Sequence, residues 1–276
     1  MTMRNKEIIF NIIAVIIGII FLFPLYWIII TSFKSDKEIF NSVPTLFPKE
    51  FTLAAYTNPD SGDYSLFKAF LNSLIVGVGC LVITLTLAIP SAYALARFNV
   101  KGKSLILQSF LLCQMLPASL LLTPLFIIYN KMGILNTYLA PMLSISAAQI
   151  PFIIIILRTY YMRMPKELEE SATIDGCNIF TAFTKIIIPV SKPGIIMAAT
   201  FSFLAGWSDL IYSLTFINKD EMRPITAGIY NFIGRYGTQW NKLMAFGTIS
   251  IIPVILIFIL LQKYIVGGLT DGAVKE

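Results

Sequence analysis

The chain has 276 residues, of which 57% are hydrophobic and 13% charged, with a mean hydropathy of +0.78. A soluble domain carries about 25% charged residues, so this chain cannot cover its surface with polar groups, and part of its solvent is lipid. That excludes a soluble enzyme, a disordered chain and a nucleic-acid binder; the net charge of +6 fits basic residues held on one side of a membrane.

Six apolar runs follow one another, at 8–30, 70–96, 104–129, 138–157, 193–217 and 243–262. Each meets the roughly 20 residues needed to cross a bilayer core as a helix, and the runs are too long and too evenly apolar for barrel strands. The sequence therefore predicts an all-α membrane protein with six transmembrane helices in one domain, 1–276. The first run is too long for a signal-peptide core and is followed by Thr31-Ser32-Phe33-Lys34, without a cleavage pattern, so it reads as a retained anchor. Six spans put both termini on one side. The segments 1–7, 97–103, 158–192 and 263–276 hold twelve basic residues against nine in the others. Arg4 and Lys6 precede the first span, and Arg97, Lys101 and Lys103 fill a short turn without an acid. Both termini are expected in the cytoplasm.

After the first span comes a long outer loop, 31–69, with Pro44, Pro48 and Pro59. The second run ends at Arg97. The third carries Gln114 about 15 Å deep, and the fourth carries Gln149 about 16 Å deep, by helix rise. Ser146 precedes Gln149 by three residues. Amides at mid-membrane need partners; they serve either a hydroxyl-rich substrate or hydrogen bonds between helices. Pro117, Pro124, Pro141 and Pro151 are expected to kink these spans and open a cavity. In the fifth run Asp209, beside Trp207, Ser208 and Tyr212, is the one charged residue inside any run. It lies about 24 Å up from Pro193, close to the outer interface, where a structural contact, an outer gate and substrate binding are all open readings. The outer loop 218–242 has glycines at 234 and 237 and aromatics at Tyr230, Tyr236 and Trp240. At 25 residues it exceeds the roughly 2–8 of a simple helix connection.

The loop 158–192 holds the densest signal. Pro165 suits a first helical position, and Glu167, Glu169 and Glu170 favour the positive end of a helix. Gly176 suits a helix C-terminus and Asn178 the cap of a second short helix. Phe180 and Phe183, three apart, share a face of it. A helix–turn–helix is expected at the membrane surface, with Ala172 and both aromatics buried.

Glu170-Ser171-Ala172, Gly176 and Ile186-x-Ile188-Pro189 stand at the spacing of the Glu-Ala-Ala loop of ATP-binding-cassette importer permeases, and the chain resembles that family. Ser171 replaces an alanine and Ile188 a leucine, both small changes in volume. The stretch Ile89–Phe98, Leu116-Pro117, Gly133 with Asn136-Thr137, and the tail from Gly268 to Lys275 are similar to the smaller permease of maltose-type carbohydrate importers. The resemblance implies a type I importer fold in which the loop forms a coupling helix. Glu170, Ser171, Ala172, Asp175, Gly176, Phe180, Phe183, Ile186 and Pro189 would then dock a cytoplasmic ATPase, with Glu170 making an ionic contact. It implies as partners a second homologous permease, two ATPase subunits and an extracellular solute-binding protein contacted by Tyr236, Gly237 and Trp240, in a bacterial plasma membrane. ATP and Mg would be used by the ATPase, with no cofactor bound by this chain, which has no phosphate-binding loop. Gln114, Ser146, Gln149 and Asp209 would line a sugar path.

Three cysteines and no histidine leave no metal-ligand spacing and no histidine base. A stand-alone ion-coupled transporter or channel is the alternative. It would need paired buried charges, and Asp209 alone is poor support.

Overall fold

The structure is a computed structural model, and it describes residues 3–57, 65–234 and 237–270. Ten helices position the sites: α1 Met3–Ser32, α2 Leu66–Arg97, α3 Lys103–Met115, α4 Ala118–Lys131, α5 Leu139–Arg163, α6 Glu167–Ile174, α7 Ile179–Ala182, α8 Lys192–Trp207, α9 Ile211–Phe216 and α10 Trp240–Thr270. Among the described residues the strands are one two-residue hairpin, Ile233–Gly234 with Gly237–Thr238, so the architecture is helical as expected.

Among the described residues, four helices are long and apolar enough to cross a membrane unaided, within 9–32, 66–97, 139–163 and 240–262. Two bent pairs bring the number to six: α3 with α4, bent by 97°, and Ile179–Val190 with α8, bent by 78°. The expected third span, 104–129, is therefore not one helix. Pro117 has no N–H to offer and drives its predecessor out of the helical region; Leu116 is extended at ψ 121°, and α4 restarts beyond it. The fifth run, 193–217, is also interrupted, because α8 stops at Trp207 and α9 begins at Ile211. Pro141 and Pro151, by contrast, sit inside the unbroken α5. That helix runs on to Arg163, so the connecting loop is shorter than the expected 158–192.

α2 is the centre of the bundle and packs most extensively on α5 and α8, while α1 lies along α10. Small residues permit the approach. A Cβ on Gly206 of α8 would stand 2.9 Å from the Gly77 Cα and the Cys80 Sγ of α2, a contact that only glycine allows. Lipid gives no hydrophobic drive for helix association, so such close van der Waals contact supplies the adhesion. The Trp207 indole N–H, donating to the Ser250 carbonyl at 3.1 Å, ties α8 to α10. One buried cluster, including Tyr93, Leu157, Tyr161 and Ile187, lies near the end of α2 that carries Arg97. A second, with Val76, Cys80, Ile145 and Phe216, and a third, with Phe203, Trp207 and Phe246, fill the other half. The apolar surface of α1 from Ile9 to Phe23 is largely exposed, as a lipid-facing helix requires.

Candidate functional site

At the Arg97 end of the bundle, α6 and α7 form the expected helix–turn–helix. Glu167, Glu169 and Glu170 occupy the first turn of α6, where carboxylates meet the positive end of the helix dipole. The helix closes in a Schellman motif. The Gly176 N–H donates to the Thr173 carbonyl at 3.0 Å and the Cys177 N–H to the Ala172 carbonyl at 2.9 Å. Gly176 sits at φ +85°, a conformation that costs a residue with a Cβ. The Asn178 side chain then accepts from the Thr181 N–H at 2.8 Å and caps α7.

The pair is fastened to the bundle along one edge. Ala172 and Ala182 are buried, and the Phe183 ring centre lies 4.6 Å from that of Tyr93. Arg97, the last residue of α2, donates from Nε to Glu169 Oε1 at 2.7 Å and from Nη2 to the Met164 carbonyl at 2.9 Å. The Arg97 side chain is 6% exposed and that of Glu169 23%. Sequence reasoning passes over this pair and singles out Glu170, which is exposed together with Ser171, Asp175 and Gly176. A cation ending an apolar run and an acidic helix start are the available signals. Phe180 departs from expectation. It turns outward at 74% exposure, alongside Ile174 at 86% and Ile179 at 64%, because Ala182 and the following Phe183 take the face turned to the bundle. Ile186 is half-buried and Pro189 exposed. The free edge is thus an apolar patch bordered by carboxylates, the character of a protein-docking surface.

Inside the bundle the two helix breaks meet at one cavity of about 630 Å³. Leu116 and Ala118 from the α3–α4 break and Ser208 and Asp209 from the α8–α9 break line it, with Tyr129, Ser144, Gln149 and Tyr212. The wall is mostly apolar with a few polar groups, the usual make-up of a small-molecule site. The hydroxyls of Tyr129 and Ser144 stand 2.8 Å apart. Asp209 is held as a helix cap: Oδ1 accepts from the Tyr212 N–H at 3.3 Å and Oδ2 from the Ser213 N–H at 2.8 Å. Its backbone carbonyl accepts from the Thr226 hydroxyl. A carboxylate at a helix start is locally favourable, which gives Asp209 a structural reason to be there while it faces the cavity. Gln114 is exposed and donates to the Ala148 carbonyl at 2.7 Å, forming the interhelical bond that is one of its two open readings. Ser146 is buried, with its hydroxyl aimed at the Cys80 carbonyl 3.5 Å away on α2. Of the four expected path residues, Gln149 and Asp209 are brought together at the cavity; Ser146 and Gln114 are not among its lining. Tyr129 and Ser144 escape sequence reasoning because a hydroxyl within an apolar run carries little signal.

The loop 218–242 is part cover and part projection. Asn72 of α2 donates to the Glu221 carbonyl at 2.9 Å and the Arg223 carbonyl at 3.1 Å, the Ile225 N–H donates to Ser73 Oγ, and Phe232 is buried. Beyond Phe232 the hairpin exposes Ile233, Gly234 and Gly237, and Trp240 is 39% exposed. Tyr236 lies outside the described residues.

Residues 84–271 match the family described as binding-protein-dependent transport system inner membrane component. A probable ABC transporter permease protein of Bacillus subtilis is 36% identical over 92% of this chain and 83% of its own length. The diacetylchitobiose uptake system permease protein of Streptomyces coelicolor is 33% identical over 96% of each chain. The trehalose/maltose transport system permease protein of Thermococcus litoralis is 35% identical over 98% of this chain and 97% of its own. The fold is similar to a chain of a bacterial ABC transporter that imports the acidic polysaccharide alginate, with a TM-score of 0.79 at 20% identity over 95% and 96% of the two chains. These findings agree with a multi-pass membrane helix bundle of the type I importer class. The chain belongs to the inner-membrane permease components of binding-protein-dependent ABC transport systems.

Proposed function

We propose that this chain is one of two permeases in an ATP-driven carbohydrate importer, and that α6–α7 is where a cytoplasmic ATPase seats. The single observation that carries the reading is the two-sided build of the α6–α7 pair. One edge is fixed to α2 by Arg97–Glu169 and Phe183–Tyr93, while the other presents Ile174, Ile179 and Phe180 to solvent. A surface so mounted transmits a push to the bundle core. Glu170 and Asp175 at its border supply ionic contacts to the ATPase, of which two would serve two permeases. ATP and Mg belong to that partner's chemistry. In this reading Arg4, Lys6, Arg97, Lys101 and Lys103 lie on the cytoplasmic side, by the positive-inside rule.

The carbohydrate class follows from the relatives that carry diacetylchitobiose and trehalose or maltose in their names, and from the chemistry of the cavity. Tyr129, Ser144, Gln149 and Tyr212 offer hydroxyl, amide and aromatic surfaces suited to a neutral polyhydroxylated solute. On the opposite membrane face the exposed Ile233, Gly234, Gly237 and Trp240, together with Tyr236 by its place in the sequence, contact the solute-binding protein. An ion-coupled transporter working alone gains little support, since the intramembrane carboxylate Asp209 is engaged as a helix cap.

The test uses two docking variants. Glu170→Lys and Phe180→Ala, both at exposed positions, should leave membrane insertion intact and reduce copurification of the ATPase. Normal ATPase association in both variants would overturn the assignment of the docking edge.

A further inference from the structure

The loop that follows α1, residues 33–57, is built with its polarity reversed. Its buried side chains include two charges, Lys34 at 3% exposure and Glu38 at 7%. Its outer surface carries Phe40 at 67%, Val43 at 76%, Leu46 at 59%, Phe47 at 69% and Phe51 at 66%. In a segment surrounded by water the opposite distribution holds, because burying charge costs free energy and burying phenyl rings releases it.

The two charges are held in place by contacts. Glu38 accepts from the Thr45 hydroxyl at 2.5 Å and from the Lys49 N–H at 3.0 Å, and these bonds hold its carboxyl below the usual carboxylate range, the Thr45 bond most of all. Lys34 donates to the Thr45 carbonyl and lies 4.7 Å above the Trp27 ring. The carboxyl of Glu38 also borders a shallow cleft with Lys37, Lys49 and Glu50, so the loop's charges gather on one side of it.

The depth of the apolar surface is fixed by α1. The Phe47 ring centre lies 6.2 Å from that of Tyr26, and the Tyr26 hydroxyl donates to the Leu46 carbonyl. Tyr26 is six residues before the end of α1, about 9 Å down the helix axis. The Phe23 and Trp27 rings stack at 6.0 Å on the same helix. The lipid-facing surface of α1 thus continues without a break through Phe23 and Tyr26 onto Phe47. Tyrosine and tryptophan at that level mark a membrane–water boundary.

We infer that residues 40–51 form an interfacial element lying in the headgroup layer on the membrane face opposite the α6–α7 pair, with Val43, Leu46 and Phe47 inserted among lipid chains and the Lys37–Lys49–Glu50 cleft turned to water. The occupant of the apolar surface is lipid, because the surface is an extension of one that a spanning helix already gives to lipid. The element clamps the end of α1, a helix whose packing within this chain is mainly on α10.

The test places a nitroxide at Val43→Cys, Phe47→Cys or Lys37→Cys in turn, with Cys80, Cys113 and Cys177 replaced, in the whole transporter reconstituted in bilayers. Collision with oxygen, which concentrates in lipid, is compared with collision with a water-soluble nickel chelate. The expected result is a high oxygen-to-nickel ratio at 43 and 47 and a low one at 37. Free access of nickel to 43 and 47 would show a water-exposed surface and overturn the inference. Low access of both probes would show a protein partner there and overturn it equally. Val43 is the primary site, since its exposure makes the substitution harmless to folding; where Phe47→Cys fails to assemble, the ratio at position 43 decides.

Discussion

Removing the Arg97 guanidinium should uncouple ATP hydrolysis from transport. The side chain is 6% exposed and satisfies both Glu169 Oε1 and the Met164 carbonyl. Breaking a buried pair by deleting one partner costs about 3–5 kcal/mol when both charges are dry. Glu169 retains partial water access at 23%, so about 2–3 kcal/mol is expected for Arg97→Ala, including the orphaned carbonyl. At about 1.4 kcal/mol per tenfold, that lowers the population in which α6 is seated on α2 by roughly 30- to 150-fold. Arg97→Lys keeps the charge but loses the fork that reaches two acceptors, and should fall between. The assay is sugar moved per ATP hydrolysed in proteoliposomes, with a double-mutant cycle to Glu169→Ala read by thermal unfolding. Arg97→Ala is expected to retain ATP hydrolysis and lose most uptake, and the two single variants should be strongly non-additive. Wild-type uptake per ATP in Arg97→Ala, or additive effects in the cycle, would refute the latch.

Gly206→Ala should destabilise the bundle by about 1–3 kcal/mol through overpacking, because its Cβ would meet Gly77 and Cys80 at 2.9 Å. Gly18→Ala, whose Cβ meets nothing within 4 Å, should not, and unfolding in mild detergent compares the two. Gly176→Val should cost about 1–2 kcal/mol of backbone strain at φ +85° and weaken ATPase copurification without lowering the amount of inserted permease, as measured by pull-down. The Glu38 carboxyl, held low first by Thr45 and then by Lys49, stabilises the 33–57 loop above the unfolded carboxylate range. That contribution is lost as pH falls through the lowered folded value, so protease sensitivity of the loop should rise only in acid, below pH 4.5. Glu38→Gln should abolish that acid step.

The spans and the helix–turn–helix of α6 and α7 are legible because their signals are redundant. A run of twenty apolar residues reads as helical, and Gly176 and Asn178 mark helix ends by backbone chemistry alone, whereas Pro165 lies two residues before the start of α6 rather than at its first helical position. The breaks were harder to read. Pro117 and Pro151 look alike in the sequence, yet one ends a helix and the other lies within α5, because tertiary packing decides which proline is accommodated. The cavity was only partly visible. Gln149 and Asp209 advertise themselves as polar atoms in apolar runs, whereas the cavity's position depends on two breaks coming together in space. Arg97 and Glu169 are 72 residues apart, and a contact of that span leaves no periodic trace. The reversed polarity of the 33–57 loop has the same origin: Lys34 and Glu38 are ordinary loop charges until their partners at Thr45 and Lys49 are known.

This permease is expected to move carbohydrate only as part of an ATP-driven, binding-protein-dependent assembly. The most direct measurement is uptake of labelled disaccharides, with trehalose, maltose and diacetylchitobiose in the panel, into proteoliposomes holding this chain, its partner permease and the ATPase. Uptake should require internal ATP together with the external binding protein, and should fall with Phe180→Ala. Uptake by this chain alone, driven by a proton or sodium gradient without ATP, would contradict the account.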